Sequence, residues 1–201
     1  AKCMRGEAMI RSLSDLRRYF EADARSRRVS ISLYSFITDP ITRFTIYLRI
    51  NEYISNNRWP FWLAVGQRLL FKRISIRLGF SIPINVFGAG LAVVHYGTIV
   101  VHPDCRVGEN ARVHVGVNIG SNGQVLRNGI TCETVPVIGK NCHIAPGAKL
   151  FGDIVIGDNC IIGANAVVNR SFPEPYLTIA GVPARVVKRR SANGSEGLDA
   201  H

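Results

Sequence analysis

Residues 137–168, VIGKNCHIAPGAKLFGDIVIGDNCIIGANAVV, place an aliphatic side chain at every sixth position: Ile138, Ile144, Leu150, Ile156, Ile162 and Val168. Upstream, Val101, Val107, Val113 and Ile119 keep a second phase with the same period. A helix repeats its faces every 3.6 residues and a strand every 2, so neither accounts for six. A left-handed parallel β-helix does. Each hexad is one flat face of a triangular coil, three hexads close a turn, and Gly, Asn or Asp behind the aliphatic residue helps turn the corner. The aliphatic columns then stack coil on coil into a core.

The two phases do not join, because Ile119 and Ile138 lie one residue off three repeat units. The intervening SNGQVLRNGITCETVP lacks the period, so residues 120–136 read as a loop thrust out of the prism, where function usually sits on a rigid solenoid. Before the repeats, Ile10, Leu13, Leu16 and Phe20 predict a helix over 10–28, with Ser12 or Ser14 as cap. A second helix is predicted over 40–57, opened by Pro40, and a third from Pro60 to about Arg77. The fold class is therefore α+β. An N-terminal helical region spans 1–80, a β-helix spans 81–188, and the polar residues 189–201 are expected to be a disordered tail.

Composition narrows the partners. The 201-residue chain has a formal net charge of +11. The basic excess sits before the repeats, where it suits a phosphorylated ligand or an anionic membrane surface, or is simply a solvated helix face. No nucleic-acid recognition motif accompanies it. The five cysteines (Cys3, Cys105, Cys132, Cys142, Cys160) show neither CxxC nor ligand spacing, which argues against a disulfide framework or a zinc knuckle. Cys105, Cys142 and Cys160 fall where small packing residues are expected. The opening AKCMRGEAMIRS has no apolar signal-peptide core and no apolar run is long enough to span a bilayer, so a cytoplasmic protein is expected.

The helical N-terminus, the six-residue repeat, GAGLAVVHYGTIV at 88–100, the protruding loop and the closing IAGVPARVV at 179–187 together resemble the serine acetyltransferase family of hexapeptide-repeat acyltransferases. The resemblance implies a homotrimer, sometimes paired into a hexamer, with acetyl-CoA as co-substrate in the groove between neighbouring prisms. It implies His95 of HYGT as general base; lying 24 residues before Ile119, His95 is expected to keep the repeat phase and take an inward-type slot. An imidazole with a pKa of about 6.5 suits the removal of a hydroxyl proton as the oxygen attacks a thioester. The same resemblance assigns Asp39 of TDP to the acceptor and puts Gly120, Pro146, Ala164, Ala184, Arg185 and Lys188 along the CoA path.

Three positions depart from the family pattern. Val94 stands where an Asp usually precedes the histidine, and Pro83 where an Asp usually orients it, leaving Asn85 as a polar substitute. Thr134 and Val135 stand where an Arg-His pair is usual. His114 reads either as a second polar group near the acceptor or as a structural residue. His102 and His143 read as face or corner residues. His95, His102 and His114 are spaced by seven and twelve, unlike the H…HxxxxH of the zinc-binding branch of this fold, so no metal is expected. The function read is an acetyl-CoA-dependent O-acetyltransferase acting on serine or on a sugar hydroxyl of a surface-polysaccharide precursor, with the changed serine contacts favouring the sugar. The alternative is a non-catalytic scaffold whose basic N-terminal helices bind membrane or protein partners.

Overall fold

The computed structural model describes residues 9–57, 59–125, 131–132 and 134–191. Four helices precede the prism: α1 (Leu13–Arg27), α2 (Leu33–Thr38), α3 (Pro40–Asn56) and α4 (Phe61–Leu78). Ser12 caps α1 in a reciprocal capping box with Asp15. Asp39 caps α3, with Pro40 in the first turn. Gly79 ends α4 in the left-handed conformation. The six-residue α2 has no counterpart among the predicted helices. It is held by its own capping box, Ser32 with Ser35, and is too short to show an apolar period.

From Phe80 the chain coils into three parallel sheets, the three faces of a left-handed β-helix. The first face stacks Phe80–Ser81, Ile99–Val101, Asn118–Gly120, Lys149–Phe151 and Val167–Val168. The second stacks Arg106–Val107, Val137–Ile138 and Val155–Ile156. The third stacks Ala92–Val93, Arg112–Val113, His143–Ile144, Ile161–Ile162 and Leu177–Ala180, and Arg185–Arg189 closes it antiparallel. The registers run Val93–Val113–Ile144–Ile162, Val101–Ile119–Leu150–Val168 and Val107–Ile138–Ile156. Every one of these side chains is 3% exposed or less, so the six-residue period is the core. Cys105, Cys142 and Cys160 occupy buried slots two residues before the aliphatic ones. Burial pushes the thiols of Cys105 and Cys142 up to about 12, which leaves them packing groups without nucleophilic character at neutral pH.

The register explains why the two phases do not join. Val107 pairs with Ile138 across 31 residues, whereas Ile138 pairs with Ile156 across 18. The excess is the excursion between Gly120 and Val137, and Gln124–Val125 pairs antiparallel with Thr131–Cys132 inside it. Residues 126–130 and 133 of this loop lie outside the described residues. At the far end, Arg189 belongs to a strand and the Arg190 amide donates to the Tyr176 carbonyl, so the expected tail begins too early at 189. Residues 192–201 lie outside the described set.

The helices and the prism share a core that runs from Phe44, Leu48, Ile74 and Leu78 into the first coils, with Phe44 edge-on to Phe80 at 4.9 Å. A buried ion network locks the joint. The Arg49 guanidinium is fully buried and donates to Asp23 at 2.8 and 3.2 Å, to Glu52 at 2.9 Å and to the carbonyls of Phe87 and Gly88. Asp23 in turn accepts from the Gly90 and Leu91 amides. Two carboxylates and two backbone carbonyls surround one cation, which offsets the cost of burying it. This joint fixes α1 against the coil that carries His95.

Candidate active site

One edge of the prism, where the third face turns into the first, collects the site. It carries His95 in the first coil, then His114, Pro146 and Ala164 on successive turns after the third-face strands, and it ends near Ala184, whose amide donates to the Val167 carbonyl. With strands about 4.8 Å apart, four steps span about 19 Å. Pro146 and Ala164 are exposed and small, so the backbone along this edge is accessible. His95 is exposed too, which corrects the inward slot expected for it. The inward residues of that coil are Val93 and Val101, eight apart where six would hold the period. Two extra residues at the turn lift VHYG out of the repeat and present the imidazole to solvent at the edge.

His95 is not alone there. Its ring centroid lies 6.2 Å from that of His114, which lies 4.8 Å from that of His143. His114 Nε2 and His143 Nδ1 are buried without a hydrogen-bond partner. Burial, with the charges of His143, Arg112 and His95 adding to it, lowers the His114 pKa to about 4. Burial first and Arg112 second also lower that of His143. Both rings are therefore neutral at pH 7. His143, read from the sequence as a face or corner residue, is brought into this cluster because the 13-residue excursion shifts its coil under that of Arg112. Only the cross-strand register could have revealed that. His102 lies elsewhere, in a local turn with Asp104. Among the described residues, no group of three His, Cys, Asp or Glu side chains could hold a metal ion.

Two acceptor candidates are committed to other work. The Asp39 carboxylate accepts from the Ile41 amide at 2.9 Å, Thr42 Oγ1 at 2.7 Å and Arg27 Nη2 at 2.7 Å. These hydrogen bonds and the Arg27 charge outweigh burial and hold its pKa below the usual range. Asp39 thus reaches the site through Arg27, which lines a pocket with Ala92, Val93, Val94 and Arg112. Asn85 sits on a different edge, between the first and second faces. Its side chain exchanges two hydrogen bonds with Asn56, and its amide donates to Glu52, so it belongs to the helix–prism joint and does not orient His95. Gly120 lies where the loop leaves the first face, and a side chain there would meet open space. Arg185 and Lys188 lie on the antiparallel closing strand, paired with Ala180 and Thr178. Thr134 donates to Asn122 and Val135 packs on the core, so neither offers a charge. Arg27 and Arg112 were not singled out in the sequence, since a basic residue in a helix or on an outward strand position carries no signature.

The family model described as Bacterial transferase hexapeptide (six repeats) matches residues 136–170. The serine acetyltransferase of Staphylococcus aureus (strain Mu50 / ATCC 700699) is 31% identical over 192 residues, 94% of this chain and 83% of that protein. The chain belongs to the serine acetyltransferase family. The serine acetyltransferase of Staphylococcus xylosus is 39% identical over 102 residues, 51% of this chain, a match that takes in 44% of that protein's length. Soybean serine acetyltransferase solved in complex with serine superposes with a TM-score of 0.68 at 25% identity, over 87% of this chain and 70% of that one. The family's left-handed prism and acyltransferase character are those of this chain.

Proposed function

We propose that the chain is an acetyl-CoA-dependent O-acetyltransferase with His95 as general base. His95 takes the proton of an acceptor hydroxyl as its oxygen attacks the thioester carbonyl. A backbone amide of a neighbouring coil meets the oxyanion. Collapse breaks the C–S bond, and the departing CoA thiolate takes the proton from the imidazolium, leaving the O-acetyl ester and free CoA. The observation that carries this reading is the edge itself. An exposed imidazole, unpartnered among the described residues, heads a column of small residues, Pro146 and Ala164, that leads to Ala184, Arg185 and Lys188. That column suits an extended arm held by backbone groups with cations at its phosphate end.

The acceptor is a hydroxyl of a surface-polysaccharide sugar precursor in preference to free serine. Val94, Thr134 and Val135 supply no charge to a zwitterion, and Asp39 is occupied by Arg27. The groove needs a second wall, so the working unit is a homotrimer or a hexamer made from two, and the site of action is the cytoplasm, where acetyl-CoA is available. Release of free CoA with L-serine, other hydroxy amino acids and nucleotide- or lipid-linked sugars tests the reading. CoA release with a sugar acceptor and weak release with serine is the expected result. Efficient saturation at submillimolar serine would return the chain to plain serine acetylation. A solution mass that is not a multiple of three would remove the shared groove.

One observation favours a second reading, a scaffold at an anionic membrane surface. On α4, Phe61, Trp62, Leu69, Leu70 and Ile76 are exposed beside Arg68, Lys72, Arg73 and Arg77, and the helix holds no acidic residue. No helix among the described residues is long and apolar enough to cross a membrane. Acetyl-CoA separates the readings. It should raise the melting temperature of an enzyme and leave a scaffold indifferent.

A further inference from the structure

Next to the turn that carries His95 lies a pocket of about 90 Å³ lined by Arg27, Ala92, Val93, Val94 and Arg112. Its floor is the Ala92–Val94 stretch, with its small and aliphatic side chains. Its polar walls are two guanidiniums that reach it from different elements. Arg27 comes from the last turn of α1 and is 12% exposed. It is held at 2.7 Å by both Thr42 Oγ1 and Asp39 Oδ2, so its position is fixed, while two of its five N–H groups are spent on those bonds. Arg112 projects from the outward row of the third face, in register with Ala92 and His143. Among the described residues no carboxylate pairs with it. Its neighbours are His114 and His143, imidazoles already kept neutral by burial and by the Arg112 charge.

The charge count at this spot does not close. Asp39 neutralises Arg27, and no carboxylate among the described residues neutralises Arg112. A partly buried guanidinium beside two buried, unpartnered imidazole nitrogens is an arrangement that an anion would stabilise. Val94 matters for the same reason, because an aspartate beside the histidine would pair with Arg112 and close the pocket to an anion. The pocket admits a carboxylate or a phosphate with some water. The remainder of such a ligand has to extend outward, past Val94 toward His95.

We propose that Arg27 and Arg112 form an anion cradle that binds a carboxylate or phosphate group of the acceptor and thereby places its hydroxyl at His95. The proposal rests on the O-acetyltransferase reading and deepens it, by requiring the acceptor to be anionic whether it is an amino acid or a sugar. Neutral sugars are excluded as good substrates. Sugar phosphates, nucleotide-linked sugars, uronic acids and serine share the required group.

Paired acceptors test it on the full chain: serine against serinamide for the carboxylate, and a sugar phosphate against the free sugar for the phosphate. The wild type should prefer the charged member of at least one pair by tenfold or more, and the pair that shows the preference names the source of the anion. Arg112→Gln should raise the Michaelis constant for that acceptor about 10- to 100-fold, the value of a lost charged hydrogen bond. The constant for acetyl-CoA and the melting temperature should stay unchanged. Arg112→Lys should recover part of the loss, since it restores the charge without the fork. A charged-to-neutral preference that survives Arg112→Gln overturns the cradle. So does a rise confined to the acetyl-CoA constant, which would give the pocket to the donor's phosphates. A binding measurement keeps the two readings apart. Inorganic phosphate or L-serine should raise the wild-type melting temperature and leave that of Arg112→Gln unmoved. That pattern without turnover on any acceptor would sink the transferase reading and spare the cradle. Turnover with no such difference would do the reverse.

Discussion

Two edges of one prism are built from the same six-residue repeat and differ in how their polar groups are used. Where the second face turns into the third, Asn110, Asn141 and Asn159 stack in the left-handed conformation. Asn110 Nδ2 donates to Asn141 Oδ1 at 2.9 Å, and Asn141 Nδ2 to Asn159 Oδ1 at 3.1 Å. The top of this ladder needs Gly90, because a Cβ there would meet the Asn110 side-chain oxygen. At the next edge, where the third face turns into the first, the ladder is missing. In its place, among the described residues, stand an exposed imidazole without a hydrogen bond, two buried imidazole nitrogens without partners, and an arginine without a counter-ion. The repeat satisfies its polar groups on one side and leaves them unspent on the other, and that contrast makes the second edge the candidate site.

The sharpest way to break this contrast is at His95. Its ring is exposed and forms no hydrogen bond among the described residues, so His95→Ala should leave the unfolding midpoint and acetyl-CoA binding where they are. Turnover should fall about 100- to 10,000-fold, the range for removing a general base. Steady-state kinetics with a melting curve on the same preparation decides it. A variant that keeps most of its activity would take the chemistry away from this edge.

The opposite outcome is expected on the ladder edge. Asn141→Ala loses both amide hydrogen bonds, at about 0.5–1.5 kcal/mol each, and puts alanine in the left-handed region, at about 1–2 kcal/mol. The variant should be destabilised by about 2–5 kcal/mol in urea, with kcat unchanged. Asn141→Gly keeps the backbone conformation and should recover the backbone part of that loss. If Asn141→Ala is as stable as the wild type, the ladder does not hold the coils together, and the distinction between the edges fails.

The fold was legible because its signal is covalent spacing: Ile138 through Val168 fall on the core columns they were expected to form, and Ser12 and Pro40 open their helices as their chemistry demands. The candidate site was legible only where a local motif marked it. HYGT pointed to His95, but the two residues inserted at that turn are invisible without knowing that Val93 pairs with Val113. Counting back from Ile119 therefore put the ring inside the prism. His143, Arg27 and Arg112 reach the site through cross-coil register and through the docking of α1, both of which depend on contacts between residues far apart in the chain. Asn85 shows the converse. Proximity to the repeat suggested a role beside His95, and its reciprocal amide pair with Asn56 binds it instead to the helices.

The smallest effect concerns pH, and it separates the ladder asparagines from the imidazoles of the open edge. Asn110, Asn141 and Asn159 do not titrate, although Glu109, Lys140 and Asp158 flank them. The open edge holds His114, whose folded pKa is lowered to about 4 mainly by burial and then by the charges of His143, Arg112 and His95. In the unfolded chain the same imidazole titrates near 6.5. Between those values the unfolded state binds a proton that the folded state refuses, so stability rises with pH across this window and is lost as pH falls from about 6.5 toward 4. His143, lowered for the same reasons, adds in the same direction. His114→Gln replaces the imidazole with a neutral group of similar reach, so its stability should fall less steeply over that range. Both proteins should run parallel above pH 7, where the ring is neutral folded or unfolded. Urea midpoints at half-unit intervals from pH 4 to 8 measure the difference. The difference should be modest, because the ring is only half-buried and water screens what it faces. Curves that stay parallel from pH 6.5 down to 4 would show that the fold does not hold His114 neutral, and the open edge would lose the feature that makes room for an anion beside Arg112.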